Sequence, residues 1–186
     1  MIQYNGSHSI DFFGDLNDRG TLNAKNTWRD WHLVPTAKPY VIPAEPQFNL
    51  VTIPGSNRIL DLTDYLTGSP VYSIRSGEWE FIVDLEYWKD SSYAYSYFMA
   101  NIHGLKLYCE LQDNPGTVYT GRFAISEYAS SESYPVMKIK YNISPTSKVV
   151  TSQNSSGQDV YTDGGTVESV DVEQEISVID AELHDL

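Results

Sequence analysis

Strict alternation of apolar and polar residues in the middle of the chain predicts β-strands. In GEWEFIVDLE, four apolar residues from Trp79 to Leu85 alternate with mostly acidic positions, which is the pattern of a strand with one buried and one wet face. LKLYCELQ, which begins at Leu105, repeats the pattern. VMKIKYNIS directs two lysines outward and four side chains inward, namely Met137, Ile139, Tyr141 and Ile143. These segments predict strands that share one core.

A proline and a glycine mark a turn after the second of these strands. In DNPGT, Pro115 presets φ for the second position of a turn, and Gly116 accepts the positive φ of the third position. This type II turn joins the strand that starts at Leu105 to VYTGRFAISEY. Residues 105–128 are therefore predicted to form a β-hairpin.

One segment, DSSYAYSYFMANIHG, has helical periodicity. Its apolar residues recur at i, i+3, i+4 and i+7, which places them on one face of a helix. Residues 90–92 can cap its start and Gly104 is placed to end it, with His103 near the last carbonyls, where a positive charge is favourable. We interpret the apolar stripe as core packing; it consists of Tyr95, Phe98, Met99 and Ile102. The helix is expected to cross between strands of one sheet.

The first 47 residues are rich in turn formers and favour only short extended pieces, around Ile10–Phe13 and Thr27–Leu33. Charge then marks a boundary at the other end of the chain. All 12 Lys and Arg lie at or before Lys148, together with 16 acids, whereas nine acids and no base follow. We therefore divide the chain into a domain of residues 1–148 and an acidic tail of residues 149–186.

The tail combines two kinds of sequence. TSQNSSGQDVYTDGG has the composition of a mobile linker. TVESVDVEQEISVIDAEL keeps enough alternating Val and Ile to form an edge strand or a short helix on docking. Two interpretations follow: a free solvated tail, or a segment that becomes ordered on a neighbouring subunit.

Composition supports a β-dominated fold with a real core. The 186 residues are 41% hydrophobic and include 14 Tyr, and aromatic residues pack well on a pleated surface. The net charge of −13 argues against sequence-specific nucleic-acid binding. We recognise neither a signal peptide nor a membrane span, so synthesis in the cytoplasm and no membrane partner are expected.

No catalytic or metal-binding pattern is recognisable. The single cysteine, Cys109, alternates with leucines and is interpreted as a core residue. The four histidines lack zinc-ligand spacing, so we expect no metal, no cofactor and no enzymatic activity. The acids of DVEQE could bind calcium only loosely. Exposed aromatic rings could instead stack on sugars; the candidates are Trp28, Trp31, Tyr40, Tyr65, Tyr72 and Trp88.

Four segments, taken in their order along the chain, suggest a family. They are KNTWRDWHLVPTAKP, TIPGSNRILDLTDYLTG, VYSIRSGEWEFIV and YFMANIHGLKLYCELQDNPGTVYTGRF. Together they resemble the tryptophan–proline stretch, the Ile-Pro-Gly and Leu-Asp-Leu-Thr segment, the arginine-then-strand element and the helix–hairpin unit of phage distal tail proteins. The resemblance covers about residues 25–145. The residues on which the resemblance rests are candidates for assembly contacts. They are Trp28, Trp31, Pro35, Pro54, Gly55, Asp61, Leu62, Arg75, His103, Gly104, Pro115 and Gly116.

The resemblance implies a fold and a role. The fold is an antiparallel β-sandwich with one packed α-helix and an extended hairpin or arm. The role is a structural one in the virion: a homo-oligomeric ring, a hexamer in this family, at the tail tip, which contacts the tail tube and the tip or hub proteins and lets DNA pass. The Trp28 and Trp31 stretch would anchor a strand on the core, and the prolines from Pro35 to Pro46 would lead outward. The alternative is a carbohydrate-binding β-sandwich module or receptor-binding appendage.

Overall fold

A computed structural model of the chain describes residues 5–65, 67–88, 91–129 and 135–164. These residues form twelve strands and one α-helix, and the helix is not long and apolar enough to cross a membrane. The strands are β1 (Ile10–Phe13), β2 (Lys25–Asn26), β3 (Leu33–Pro35), β4 (Pro46–Gln47), β5 (Leu50–Thr52), β6 (Ile59–Asp61), β7 (Val71–Tyr72), β8 (Arg75–Val83), β9 (Lys106–Leu111), β10 (Thr117–Ala129), β11 (Val136–Gln153) and β12 (Asp159–Gly164), and the helix is α1 (Ser91–Asn101).

Eight strands form one antiparallel sheet in the order β2-β1-β9-β10-β11-β8-β3, with β12 also paired to β11. The long central strands β10 and β11 shift register twice, near Gly121 and near Glu127, and such bulges bend strands and increase their twist. The sheet therefore curls, and its eight strands form one continuous sheet. This confirms the predicted β-dominated, antiparallel fold with one packed helix.

The period-two pattern predicts the core correctly. All four inward residues predicted on β11, from Met137 to Ile143, are at most 1% exposed, and Trp79 and Phe81 on β8 are buried opposite them. Two positions at strand ends differ from the prediction. Leu85 lies beyond the end of β8 in a turn, and Leu105 precedes β9 and is exposed. The alternation of apolar and polar residues therefore extends beyond the residues that pair with a neighbouring strand.

Helix α1 crosses from β8 to β9, as predicted. Phe98 and Ile102 are buried, but Ala94 completes the buried stripe, whereas Tyr95 and Met99 are only half-buried. The predicted stripe was wrong at these two positions because it weighted large side chains over a small one that fits closely against the sheet. Gly104 has φ of +76°, and its N–H donates to the Phe123 carbonyl at 2.7 Å, so it ends the helix as expected.

The two ends of the sheet meet at Thr27. Strands β2 and β3 lie at opposite ends of the strand order but only six residues separate them in sequence. A flat sheet of seven strands would hold its ends about 29 Å apart. Here the Thr27 N–H donates to the Ile10 carbonyl at 3.0 Å, and the Thr27 carbonyl accepts from the Leu33 N–H at 2.9 Å. One buried residue thus connects β1 to β3 and closes the curl.

The residues around Thr27 form a turn, so the predicted extended piece at Thr27–Leu33 was wrong. Asn26 Oδ1 accepts the N–H groups of Trp28 and Arg29, which is the bonding of a helix N-cap. The His32 N–H donates to the Trp28 carbonyl at 2.8 Å. The turn ends at His32, whose φ of +48° is left-handed. The Asn side chain competes successfully with strand pairing, as this residue type often does.

The linker-like composition after Lys148 does not produce a linker. Strand β11 continues through Lys148 to Gln153, and β12 pairs back onto it. The proposed boundary at residue 148 therefore falls inside β11, while the division into domains stays a prediction. Ser, Thr and Gln tolerate an exposed strand, which is why composition misled here. The rest of the predicted tail, residues 165–186, lies outside the described residues.

Replacing Thr27 with Val should destabilise the protein without changing its fold. The Thr27 hydroxyl oxygen accepts the Ile10 N–H at 3.0 Å in a buried position, and valine keeps the shape but leaves that N–H unpaired. We expect T27V to lower the free energy of unfolding by about 1–3 kcal/mol, measured by urea denaturation. T151V is the matched control, because the Thr151 hydroxyl bonds at an exposed site. Equal stability of T27V and wild type would contradict this role.

Candidate assembly surface

The two tryptophans at positions 28 and 31 occupy different environments. Trp31 is fully buried, and its ring centroid lies 5.3 Å from that of Phe98 on α1. The Trp31 carbonyl accepts a hydrogen bond from Trp88 Nε1, and Trp88 packs against the core. Trp31 therefore ties the turn to the core and offers no ring face on which a sugar could stack.

Trp28 lies at the surface in a row of rings. Its centroid is 4.7 Å from that of His32, and His32 stacks on Tyr87 at 3.5 Å and 10°. Gly6 lies beside the Trp28 ring. A larger residue would not fit at position 6, because a Cβ there would lie 2.4 Å from Trp28 Cδ1. Partial burial lowers the pKa of His32, which favours the neutral form of the ring within the row. Tyr87, at the end of the row, is 53% exposed.

Residues 45–74 form an excursion from the body that we call the arm. Strands β4 and β7 pair at its base, and β5 and β6 pair as a hairpin further out. At the tip, Pro54 and Gly55 form a turn in which the Ser56 N–H donates to the Ile53 carbonyl at 3.1 Å and Gly55 has φ of +76°. These are the features of a type II turn, the same chemistry as at Pro115 and Gly116.

The arm is apolar and uncovered. Among the described residues, nine of the sixteen exposed large hydrophobic side chains belong to it. Both faces of the hairpin contribute, since Val51 lies opposite Leu60 on one face while Leu50 and Ile59 lie on the other. Large exposed apolar patches are uncommon on monomeric proteins and mark interaction surfaces. The nine are Phe48, Leu50, Val51, Ile53, Ile59, Leu60, Tyr65, Val71 and Ile74.

Three predicted candidates hold the arm. The Thr63 N–H and hydroxyl interact with Asp61 and lower the pKa of its carboxyl. The Leu62 N–H donates to the Asn49 carbonyl at 2.8 Å, which continues the pairing of the hairpin. Arg75 is buried where the chain re-enters the body, and it donates to the Pro145 carbonyl at 2.7 Å. The hairpin is thus fixed along its length and at its return point.

Three other candidates are structural parts of the body. Pro35 lies in β3, opposite Phe81 on β8, at the end of the strand order, where a missing N–H is tolerated. His103 Nδ1 accepts the Ile125 N–H at 3.0 Å. This hydrogen bond directs the His103 ring toward β10. His103 with Gly104 attaches the end of α1 to β10.

Pro115 and Gly116 form the predicted turn between β9 and β10. Gly116 has φ of +86°, and its N–H donates to Glu110 Oε1 at 2.6 Å. The Glu110 carboxylate also accepts two hydrogen bonds from Arg19, each 2.6 Å long, and Arg19 Nη1 donates to Asp159 Oδ2 at 2.7 Å. This cluster links the N-terminal segment, the β9–β10 turn and β12. The two carboxylates raise the pKa of Arg19, so its charge is permanent.

The described residues bring together no group of three or more His, Cys, Asp and Glu that could hold a metal ion. Cys109 is fully buried on β9, as predicted, and burial raises the pKa of its thiol well above the ordinary value. A buried neutral thiol is a poor nucleophile. What the described surface does offer is the apolar arm and the aromatic row, both of which are suited to association.

The sequence analysis did not identify the residue that joins the two ends of the sheet, or the ion pair that links the N-terminal segment to β9. Thr27 was assigned only to an extended piece, although an Asn before Thr-Trp is a recognisable turn-initiating signal. No local sequence pattern could indicate that Arg19 contacts Glu110, because 91 residues separate them in sequence. Glu110 occupied the predicted wet face of its strand yet is only 9% exposed. Its burial depends on Arg19, which alternation within one strand cannot show.

Comparison with known proteins supports the fold. No family model and no curated protein matches the chain. Among solved structures it is similar to the Dit protein of phage SPP1, described as a paradigm of the hub adsorption apparatus in phages that infect Gram-positive bacteria. The TM-score is 0.53 at 14% identity. The match covers 75% of this chain and 52% of the Dit chain, so this chain spans about half the length of that protein.

The hydrogen bonds that Arg19 donates to Glu110 and Asp159 should make an acid-sensitive contribution to the stability of the fold. The hydrogen bond from Arg19 lowers the pKa of Asp159 below its ordinary value, so the stabilisation is present above about pH 4 and is lost as the pH falls through the lowered value. We expect D159N to have a lower melting temperature than wild type at pH 7 and a smaller difference at pH 3. D163N is the control, because Asp163 on the same strand is 86% exposed and its ion pair with Lys148, at 3.5 Å, lies at the surface, where such pairs contribute little. A difference that does not change with pH would contradict the ionic contribution.

Proposed function

We propose that this chain is a non-enzymatic structural protein of a phage tail. It assembles into a ring at the distal end of the tail tube, connects the tube to the tip or baseplate, and lets DNA pass. The number of copies that the sequence resemblance implies is six. The neighbours are the tail tube protein on one side and tip or hub proteins on the other, and the protein functions in the virion after synthesis in the host cytoplasm.

The observation that carries the proposal is the uncovered arm. The hairpin of the arm has apolar residues on both faces. Folding of a single chain leaves most of this apolar surface in water, because these hydrophobic residues remain more than 40% exposed. Covering such a surface is favourable by about 25 cal/mol per Å² of apolar area. A second copy of the chain supplies that cover at every position of a ring, and a contact between two different surfaces closes into a ring when its rotation permits.

The fold likeness to SPP1 Dit supports the same proposal. That protein is described as part of a hub adsorption apparatus, and the sequence resemblance to distal tail proteins arises from separate observations on residues 25–145. The net charge of −13 is consistent with a channel that repels phosphate and lets DNA slide. The carbohydrate-binding alternative has less support, because Trp31 is buried and Tyr40 and Tyr65 belong to separate segments, the body and the arm.

Light scattering tests the proposal through the arm. We expect the full chain to have a concentration-dependent mass well above the 21.0 kDa of one copy. The double variant V51S/L60S removes a cross-strand apolar pair that is exposed in the single chain, so it should shift the chain to monomer without lowering its melting temperature.

The matched control is L22S, which removes a leucine that is 86% exposed on the body and should leave the mass unchanged. A wild-type chain that stays monomeric up to about 100 μM, a concentration at which standard-sized interfaces are populated, would overturn self-assembly. An unchanged mass for V51S/L60S would remove the arm from the interface.

A further inference from the structure

We infer that the acidic C-terminal segment, residues 165–186, docks within its own copy on a basic cluster formed by Lys106, Arg122 and Lys140 on the outer face of the sheet. The inference is independent of the proposed function, because this contact lies within one chain and requires no second copy. The segment lies outside the described residues. Its docking site is inferred from its sequence, from the point at which β12 ends and from the charge of the sheet face near that point.

The basic cluster extends over three neighbouring strands. Lys106 on β9 and Arg122 on β10 are directly opposite partners, so their side chains share one face and begin about 5 Å apart. Lys140 on β11 lies opposite Ala124, which places it diagonally from Arg122 at about 7–8 Å. All three residues of the cluster are exposed, and the residues on either side of Arg122 and Lys140 in sequence are buried. The cluster therefore lies on the solvent face of the sheet.

The cluster carries positive charge that is not neutralised within the described residues. Six other Lys and Arg side chains form ion pairs with carboxylates, whereas none of the ion pairs among the described residues includes a member of the cluster. Glu78 lies opposite Lys140, so the cluster and this acid together have an excess of positive charge. Like charges directly opposite each other destabilise a sheet, and a carboxylate between Lys106 and Arg122 would relieve that repulsion.

The other end of the same face is acidic. Lys138, two residues from Lys140 on β11, is already paired with Glu80 at 3.9 Å and with Glu127 at 2.7 Å, which leaves an excess of negative charge at that end. An acidic segment is therefore repelled there and attracted to Lys106 and Arg122.

The end of β12 directs the chain toward this face. Strands β8 and β12 pair with different parts of β11, and β10 pairs with β11 alongside both, so β8 and β12 lie end to end on one edge of β11. Gly164, at the end of β12, lies opposite Ser147, and Arg75, at the start of β8, lies opposite Ile143. Strand β12 therefore runs toward the start of β8 and cannot continue far along that edge. Solvent-facing side chains of the sheet are the first surface beyond this point.

The acids of the segment are spaced to reach the cluster. Residues 165–186 contain seven acids and no Lys or Arg. The first four acids follow Gly164 by four to eleven residues, an extended reach of roughly 13–36 Å; they are Glu168, Asp171, Glu173 and Glu175. Asn142, the partner of Arg122, and Lys140 lie five and seven residues along β11 from Ser147, which corresponds to roughly 17–23 Å. A short tether holds the segment at a high effective concentration, which favours its own copy over a second one.

Zero-length crosslinking of the full chain tests the contact. A carbodiimide joins an amine to a carboxylate only when the two groups touch, and the cluster offers the amines of Lys106 and Lys140. We expect peptides that contain residues 168–175 to be joined to peptides that contain either lysine. In an equal mixture of ¹⁵N-labelled and unlabelled chains, each crosslink should contain one isotope only, because it forms within one copy.

Lys38 is the control for this experiment. Its exposed side chain lies 3.6 Å from Asp113, so it should link to Asp113 and not to the segment. Crosslinks from the segment to lysines outside the cluster alone, crosslinks of mixed isotope, or no crosslink from the segment would each overturn the inference.

Hydrogen exchange separates this face from other sites for the segment. We expect the amides of residues 165–186 to exchange more slowly in wild type at low salt than in K106Q/R122Q. Wild type should lose that protection in about 1 M salt, where the Debye length is about 3 Å. The variant removes a like-charge pair, so its melting temperature should not fall.

R58Q is the matched variant, because Arg58 on the arm also forms no ion pair within the described residues. It should leave the exchange of residues 165–186 unchanged. Equal exchange in K106Q/R122Q and wild type, or an equally large effect of R58Q, would overturn docking on this face. The light-scattering test of assembly is unaffected by either result, because it reports contacts between copies.

Discussion

The architecture depends on one residue that hydrogen-bonds to both ends of the sheet. Thr27 donates to Ile10 on β1, accepts from Leu33 on β3, and uses its hydroxyl for the Ile10 N–H. Buried backbone groups must be paired, so a chain in which β2 and β3 are six residues apart can satisfy them only by curling the sheet. The turn that follows then carries Trp31 into the space that the curl encloses, where it contacts α1. Closure and core packing are thus parts of one event.

Closure also bears on the proposed association. An open sheet could add strands from another copy at its first and last strands, which is the usual hazard of exposed edges. Here β1 and β3 are joined through Thr27, while β12 branches from β11. The arm carries most of the exposed large hydrophobic side chains of the described residues, so the proposed association would use a feature that lies outside the closed sheet. The same turn that closes the body also places Trp28 and His32 at the surface.

Local patterns predicted the parts of the structure that depend on local physics. Alternation identified β8, β9 and β11, the proline–glycine pair identified the β9–β10 turn, and helical periodicity identified α1. Contacts over long sequence distances carried no comparable signal. The burial of Glu110 requires Arg19, and the strand character of residues 149–164 requires pairing within β11 and β12. The arm and incomplete burial were expected from a resemblance, whereas the pattern of the residues carried no signal for the exposure, because apolar residues in a hairpin usually indicate burial.

In the proposed ring, the rigidity of the body would hold each arm at a defined angle to the next copy. The angle between neighbouring copies would then depend on where the arm leaves the body. The arm returns at Arg75, the first residue of β8, and β8 pairs with β11 along eight residues. Hydrogen-bonded strands in the centre of a sheet are among the least deformable elements of a protein. In such a ring, closure would depend on the orientation that β8 gives to the arm, and affinity would depend on the apolar side chains of the hairpin.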